Sequence, residues 1–169
     1  MLMIKKKNQQ GVGLIEVLVA LLILAIGVMG FIALQYRAIE ATAESGSRIQ
    51  AINLARDLAE RMRVNRGAEE VYAFQLNTAN TQRVFPTNCF NANCSSTDLA
   101  DFDVAQIATK ARVIGMSVNY LPCQGNTDSR RCIYVAWGDT SATDGAEAGN
   151  CTTGASYEQE STCLIMEVY

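Results

Sequence analysis

The sequence predicts an α+β protein in which a long N-terminal helix, part membrane-spanning and part amphipathic, packs on a small C-terminal antiparallel sheet. Three observations predict it. Val17 to Leu34 are 18 consecutive residues without a charged or strongly polar side chain, and helix formers follow them to Val64 without a proline. Near the C-terminus, three segments alternate apolar and polar residues with a period of two. No helical pattern separates those segments, which favours antiparallel pairing.

Counted from Val12 to Leu34, the apolar run has 23 residues interrupted only by Glu16. At about 1.5 Å per residue, a helix of its uncharged part spans roughly 27 Å, close to the hydrocarbon thickness of a bilayer. Lys5, Lys6 and Lys7 precede it, and positive charge holds that flank in the cytoplasm. The rest of the chain is expected on the far side. Ala41-Thr42-Ala43 matches the small-x-small pattern of a signal-peptidase site, but Arg37 and Glu40 intervene and the run exceeds the usual stretch of about 7 to 15 residues. A retained anchor is the expectation.

Beyond Leu34 the helix is expected to continue, because Gln35 to Ala41 are mostly helix formers. Ala51, Ile52, Ala55, Leu58, Ala59 and Met62 recur at intervals of three and four and set an apolar stripe along Ala51 to Val64. Arg56, Asp57, Glu60, Arg61 and Arg63 are expected on the solvent side. Ser45-Gly46-Ser47 is a candidate kink, and Gly27 and Gly30 are soft positions where neighbouring helices can approach. A helix from Val12 to Val64 has 53 residues and reaches about 80 Å.

Residues 66–98 are expected to form an irregular connection, with Asn77, Asn80, Pro86, Asn88, Asn91 and Asn93 among few apolar residues. A short helix follows, with Leu99, Phe102, Ile107 and Ala111 as its stripe, Ser96 or Thr97 as its cap, and Asp98 and Asp101 at its positive end. The strands are then Ile114 to Tyr120, Arg131 to Asp139, and Cys163 to Tyr169. Each is expected to bury one face, formed by Ile114, Met116, Val118 and Tyr120, by Ile133, Val135 and Trp137, and by Leu164, Met166 and Val168.

The chain contains no histidine, which removes the Ser-His-Asp triad, the Cys-His pair and histidine-bound metals. Asp101 and Asp103 form a carboxylate pair, but two residues apart on a helix they point in different directions and are expected to be solvated. Asp139 to Gly145 resembles a weak cation loop without the terminal glutamate of a calcium loop. No enzyme activity, cofactor or metal is expected. The six cysteines, Cys89, Cys94, Cys123, Cys132, Cys151 and Cys163, contain no Cys-x-x-Cys pair and are expected as three disulfides on the oxidising side of the membrane. Fifteen pairings exist, and pairing of sequence neighbours is favoured, because Cys123 and Cys132 would then staple a hairpin. Arg130-Arg131 and the Arg61, Arg63 and Arg66 group are the basic clusters, expected as solvated surface or subunit contacts, with no nucleic-acid partner.

Gly11-Val12-Gly13-Leu14-Ile15-Glu16-Val17 places a glycine before an apolar stretch that carries one carboxylate. This resembles the class III signal of type IV pilins and pseudopilins, although Val12 and Gly13 stand where pilins more often have Phe or Met and then Thr or Ser. The resemblance implies that prepilin peptidase cuts after Gly11, that Val12 becomes the N-methylated first residue, and that Glu16 meets the charged N-terminus of a neighbouring subunit. The physics agrees, since a carboxylate near the hydrocarbon edge costs a few kcal/mol without a partner. Removing residues 1–11 takes away three of 14 basic residues and leaves the mature chain at −6 against 17 acidic ones.

Leu54-Ala55-x-Asp57-Leu58-x-Glu60-Arg61-Met62-Arg63-x-Asn65 is similar to the helix end of the type IV pilus modification (PilV-like) minor pilins. The implied organisation is a leader at 1–11, a helix at 12–65 with a transmembrane part at 12–34, and a disulfide-stapled globular head at 66–169. The implied role is a non-enzymatic minor pilin that primes or enters pili and contributes to biogenesis, adhesion and twitching motility. Its partners are other major and minor pilins, prepilin peptidase, the inner membrane and the pilus assembly machinery. Its head is expected in the periplasm first and on the surface fibre after assembly. A minor pseudopilin of a type II secretion system and a surface ligand-binding adhesin module are the alternatives.

Overall fold

The computed structural model describes residues 13–82 and 84–168. The chain divides into two compact units, one ending at Glu44 and one beginning at Ser45, and helix α1 (Leu14–Val64) contributes to both. Gly11 and Val12, and with them the leader, lie outside the described residues.

Within the first unit, every described side chain is exposed, including Leu24, Ile26, Phe31 and Ile32. An apolar helix with no buried face is not a stable object in water, so lipid or other helices must cover it. By length and composition this helix can cross a membrane. Gly27, Gly30 and, in the second unit, Gly46 all lie within α1.

In the second unit, the apolar face of α1 is Ala51, Leu54, Ala55, Leu58 and Met62. Leu54 thus joins the expected stripe, while Ile52 and Ala59 lie at its half-buried margin. A 3-10 turn, Arg66–Ala68, leads into α2 (Glu69–Asn77), where an irregular connection was expected. Asn and Pro do crowd residues 77–93, but Glu69 to Leu76 precede them and contain good helix formers. Tyr72, Ala73 and Leu76 give α2 a buried edge at helical spacing. Helix α3 (Ser96–Val113) is capped by Ser95, one residue before the expected caps. The Asp98 amide donates to Ser95 Oγ at 3.2 Å and the Ser95 amide to Asp98 Oδ2 at 3.3 Å, a reciprocal box that satisfies two otherwise unpaired donors.

Strands β1 (Met116–Pro122), β2 (Arg131–Trp137) and β6 (Cys163–Val168) form an antiparallel sheet in the order β1-β2-β6, with Val118 opposite Val135 and Val135 opposite Leu164. Ile114 caps α3 and stands outside β1, and β2 ends two residues before Asp139. The long helix, α2 and α3 cover the sheet face that carries Val118, Tyr120, Ile133, Val135 and Trp137. The sequence assigned β2 one buried face, but Cys132, Tyr134 and Ala136 are buried as well. A second sheet covers them. It consists of β3 (Ser141–Asp144), β4 (Asn150–Thr153) and β5 (Ser156–Tyr157), with β3 and β4 parallel, and β3 lies in the Asp139 to Gly145 stretch that was expected to be a loop. These strands of four residues or fewer are too short and too polar to show periodicity, so backbone pairing and burial of Ala142 and Cys151 define them.

Candidate functional site

The start of α1 holds the carboxylate singled out by sequence, and the contact between α1 and α3 holds a cluster of paired charges. Glu16 lies in the first turn of α1, where its amide donates to the Gly13 carbonyl at 2.9 Å. A carboxylate there complements the positive end of the helix dipole. Its proposed partner at Val12 lies outside the described residues.

In the head, Arg61 and Asp57, expected on the solvent side of α1, turn towards α3. Arg61 Nε donates to Asp57 Oδ1 at 2.7 Å, and Arg61 Nη1 donates to Asp103 Oδ1 at 2.6 Å. Lys110 Nζ reaches Asp57 Oδ2 at 2.7 Å, so two acids and two bases alternate across the two helices. Asp103 is 5% exposed, which corrects the solvated role expected for it. Its second oxygen accepts from the Tyr72 hydroxyl of α2 at 2.7 Å, and Asn65 Nδ2 donates to the Ser96 carbonyl at 2.7 Å beside it. The signal was present in the sequence: Asp103 falls inside the helical stripe of Ala100, Val104, Ile107 and Ala111, where a carboxylate needs a partner. Asp101 points the other way and accepts from Gln75 Nε2 at 2.7 Å.

The electrostatics follow from these contacts. Burial pushes the Asp57 carboxyl up, but the bonds from Lys110 and Arg61 outweigh it and hold the group below its ordinary range. For Arg61, burial acts downward and the two carboxylates more than reverse it. Burial first and the bond to Asp103 second push the Tyr72 phenol well up, and Tyr120 is raised by burial and by Glu69. The arrangement joins α1, α2 and α3.

Three disulfides complete the head: Cys89 with Cys94, Cys123 with Cys132, and Cys151 with Cys163. The Cys89–Cys94 loop carries Phe90, which stacks edge-on against Phe102 at 5.0 Å, and Phe85 does the same at 5.2 Å. The proposed cation loop is used internally. Asp144 Oδ1 accepts from Thr152 Oγ1 at 2.7 Å and from the Gly154 amide at 2.9 Å, which ties β3 to the β4–β5 turn.

The fold also gathers arginines that are far apart in sequence. Arg63, Arg66, Arg130 and Arg131 line one cavity of about 360 Å³, whose apolar wall is Met62, Tyr120 and Val168. Arg61, grouped with Arg63 and Arg66 by sequence, belongs to the interior network instead.

The described chain thus has a long N-terminal helix, apolar enough by length and composition to cross a membrane, and a disulfide-bonded α+β head. The prokaryotic N-terminal methylation motif matches residues 6–32, and the family described as type IV pilin Tt1218 matches residues 33–105. No curated protein and no solved structure matches the chain. Over these two segments the chain is type IV pilin-like; type IV pilins are structural proteins, and the motif implies processing by prepilin peptidase and assembly with other pilins.

Proposed function

We propose that this chain is a minor pilin of the PilV-like kind, which enters or primes type IV pili and thereby contributes to pilus biogenesis, adhesion and twitching motility. Prepilin peptidase cuts after Gly11, Val12 is N-methylated, and Glu16 neutralises the new N-terminus of a neighbouring subunit as α1 leaves the bilayer. Before assembly the chain is a single-pass inner-membrane protein with a periplasmic head, where the three disulfides form. Afterwards it lies in the surface fibre. The observation that carries this reading is the bare apolar face of α1 from Leu14 to Leu34 behind a single carboxylate, because such a helix must trade lipid for other helices.

The intact mass of the membrane-extracted protein tests it. A chain of 158 residues plus one methyl group supports cleavage after Gly11, whereas a product starting at Met1 or Glu44 overturns it. Recovery in sheared pili supports a pilin. Loss of protein secretion on deletion, with no recovery in pili, assigns the chain to a type II secretion system instead.

A further inference from the structure

We propose that the outer edge of β6 is a strand-addition site that takes an extended segment of a different pilin-type subunit into the sheet, an inference that rests on the fibre reading above. Backbone hydrogen bonds define this edge. The Trp137 amide donates to the Thr162 carbonyl at 3.0 Å, so in the register that sets Val135 opposite Leu164 and Ile133 opposite Met166, the even-numbered residues of β6 turn their backbone towards β2. The amides and carbonyls of Ile165 and Glu167 then point away from β2, and they have no hydrogen-bond partner among the described residues.

The opposite edge of the same sheet is closed. The Cys123 amide donates to the Arg130 carbonyl at 2.8 Å, which turns the odd-numbered residues of β1 towards β2 and leaves the backbone of Val118 and Tyr120 facing outward. There the Tyr120 amide donates to Asn77 Oδ1 at 3.3 Å and the Val118 carbonyl accepts from Gln82 Nε2 at 3.3 Å, so two side chains stand where a neighbouring strand would. Strand β6 carries none of the devices that guard an open edge. It has no proline, lysine or arginine, and its single charge, Glu167, is held by Arg130 at 2.6 Å. Both of its faces are apolar and half-buried: Leu164, Met166 and Val168 border the core shared with α1, and Ile165 borders the cluster beneath the second sheet. A strand laid beside β6 extends both layers.

The difference between the two edges selects the occupant. Subunits of a fibre are related head to tail, so each contact joins two different surfaces. A second copy of this chain can extend the sheet head to tail only through its β1 edge, which Asn77 and Gln82 occupy. Pairing β6 with β6 instead makes a closed two-fold dimer that does not propagate. The added strand therefore comes from another chain, and β6 sets its chemistry: an extended run whose backbone engages Ile165 and Glu167 and whose apolar side chains, at alternate positions, continue the row of Leu164, Met166 and Val168. Main-chain hydrogen bonds supply the affinity, and the alternation supplies the choice of partner.

Photo-crosslinking in cells tests the proposal, with benzoylphenylalanine in place of Glu167 in the full chain and fibres sheared after irradiation. The expected adduct joins β6 to a peptide of alternating apolar residues from a different pilin-type subunit. Ile165→Pro removes one outward amide and no bond to β2, so the head should keep its three disulfides while the adduct yield falls about tenfold. Ile165→Lys, which keeps every amide and adds a charge to the edge, should lower the yield in the same direction, and it carries the test if the proline variant loses a disulfide. An adduct that is absent from fibres containing the chain, that joins only a second copy, lipid or nucleic acid, or that persists at full yield in both variants overturns strand addition and leaves the pilin reading standing. A chain that never reaches the fibre overturns both.

Discussion

The guanidinium of Arg61 stands 2.6 Å from Asp103 Oδ1 and 2.7 Å from Asp57 Oδ1, so a single side chain of α1 holds α3 by one carboxylate and its own helix by another. The Asp103 side chain is 7% exposed and that of Arg61 25%, which places this bridge between the surface and interior regimes.

Removing one partner should therefore cost more than a surface pair is worth. Asp103→Ala takes from Arg61 one of its two carboxylate partners and leaves the Tyr72 hydroxyl without its acceptor, and the expected loss of head stability is about 2–4 kcal/mol. Thermal unfolding of the membrane-extracted protein reads it. A shift indistinguishable from that of Glu60→Ala, an exposed control, would refute a central role for Asp103.

Two raised phenols, Tyr72 within this network and Tyr120 beside Glu69, predict a stability profile at high pH. The phenols of Tyr72 and Tyr120 are raised above the ordinary value of 10.0, so the folded state keeps protons that the unfolded state releases. Their contribution is fully present below about pH 10 and declines as pH rises beyond it, by up to about 1.4 kcal/mol per pH unit for each phenol. Tyr72→Phe should flatten part of that decline. An unchanged slope between wild type and variant counts against a Tyr72 phenol raised by burial and by its bond to Asp103.

At low pH the sign reverses for Asp57, whose carboxyl is held below its ordinary value of 3.8. Its contribution is present above about pH 4 and is lost as pH falls through the lower folded value. Asp57→Asn should remove part of the acid sensitivity, measured as the unfolding midpoint between about pH 2 and 4.

The disulfides should differ in worth. Cys151–Cys163 closes a separation of 12 residues and lies within a buried cluster, so replacing both cysteines by serine should cost about 3 kcal/mol or more. Cys89–Cys94 spans five residues between half-buried cysteines, and its loss should cost about 2 kcal/mol or less. Chemical unfolding of the two double variants decides the order.

Glu16→Gln keeps the size of the side chain and removes its charge. Membrane insertion and all three disulfides should survive, while recovery in sheared pili should fall about tenfold or more, the scale of an unneutralised terminal charge entering an apolar core. Wild-type recovery would show that Glu16 has no part in assembly.

How much of this was legible beforehand depends on the range of the interactions involved. The apolar run, the continuation of α1 to Val64, and the three main strands follow from periodicity within short windows, which is local information. Helix α2 was obscured because asparagine and proline in residues 77–93 dominated the composition around a single helix of nine residues. The second sheet was obscured because its strands carry Ser, Thr and Asn, whose pairing depends on neighbours across space.

The sequence by itself determined that a bare apolar helix with one carboxylate leads the chain and that six cysteines follow it, because hydrophobic runs and composition need no partner to be read. Only the tertiary structure decided that Asp103 faces inward to Arg61 and Tyr72, that β2 is covered on both faces, and that arginines 63 and 66 share a cavity with 130 and 131. Each of these depends on residues dozens of positions apart being brought within a few ångströms, and the energy of a charge is set by what surrounds it. That surrounding exists only once the chain has folded.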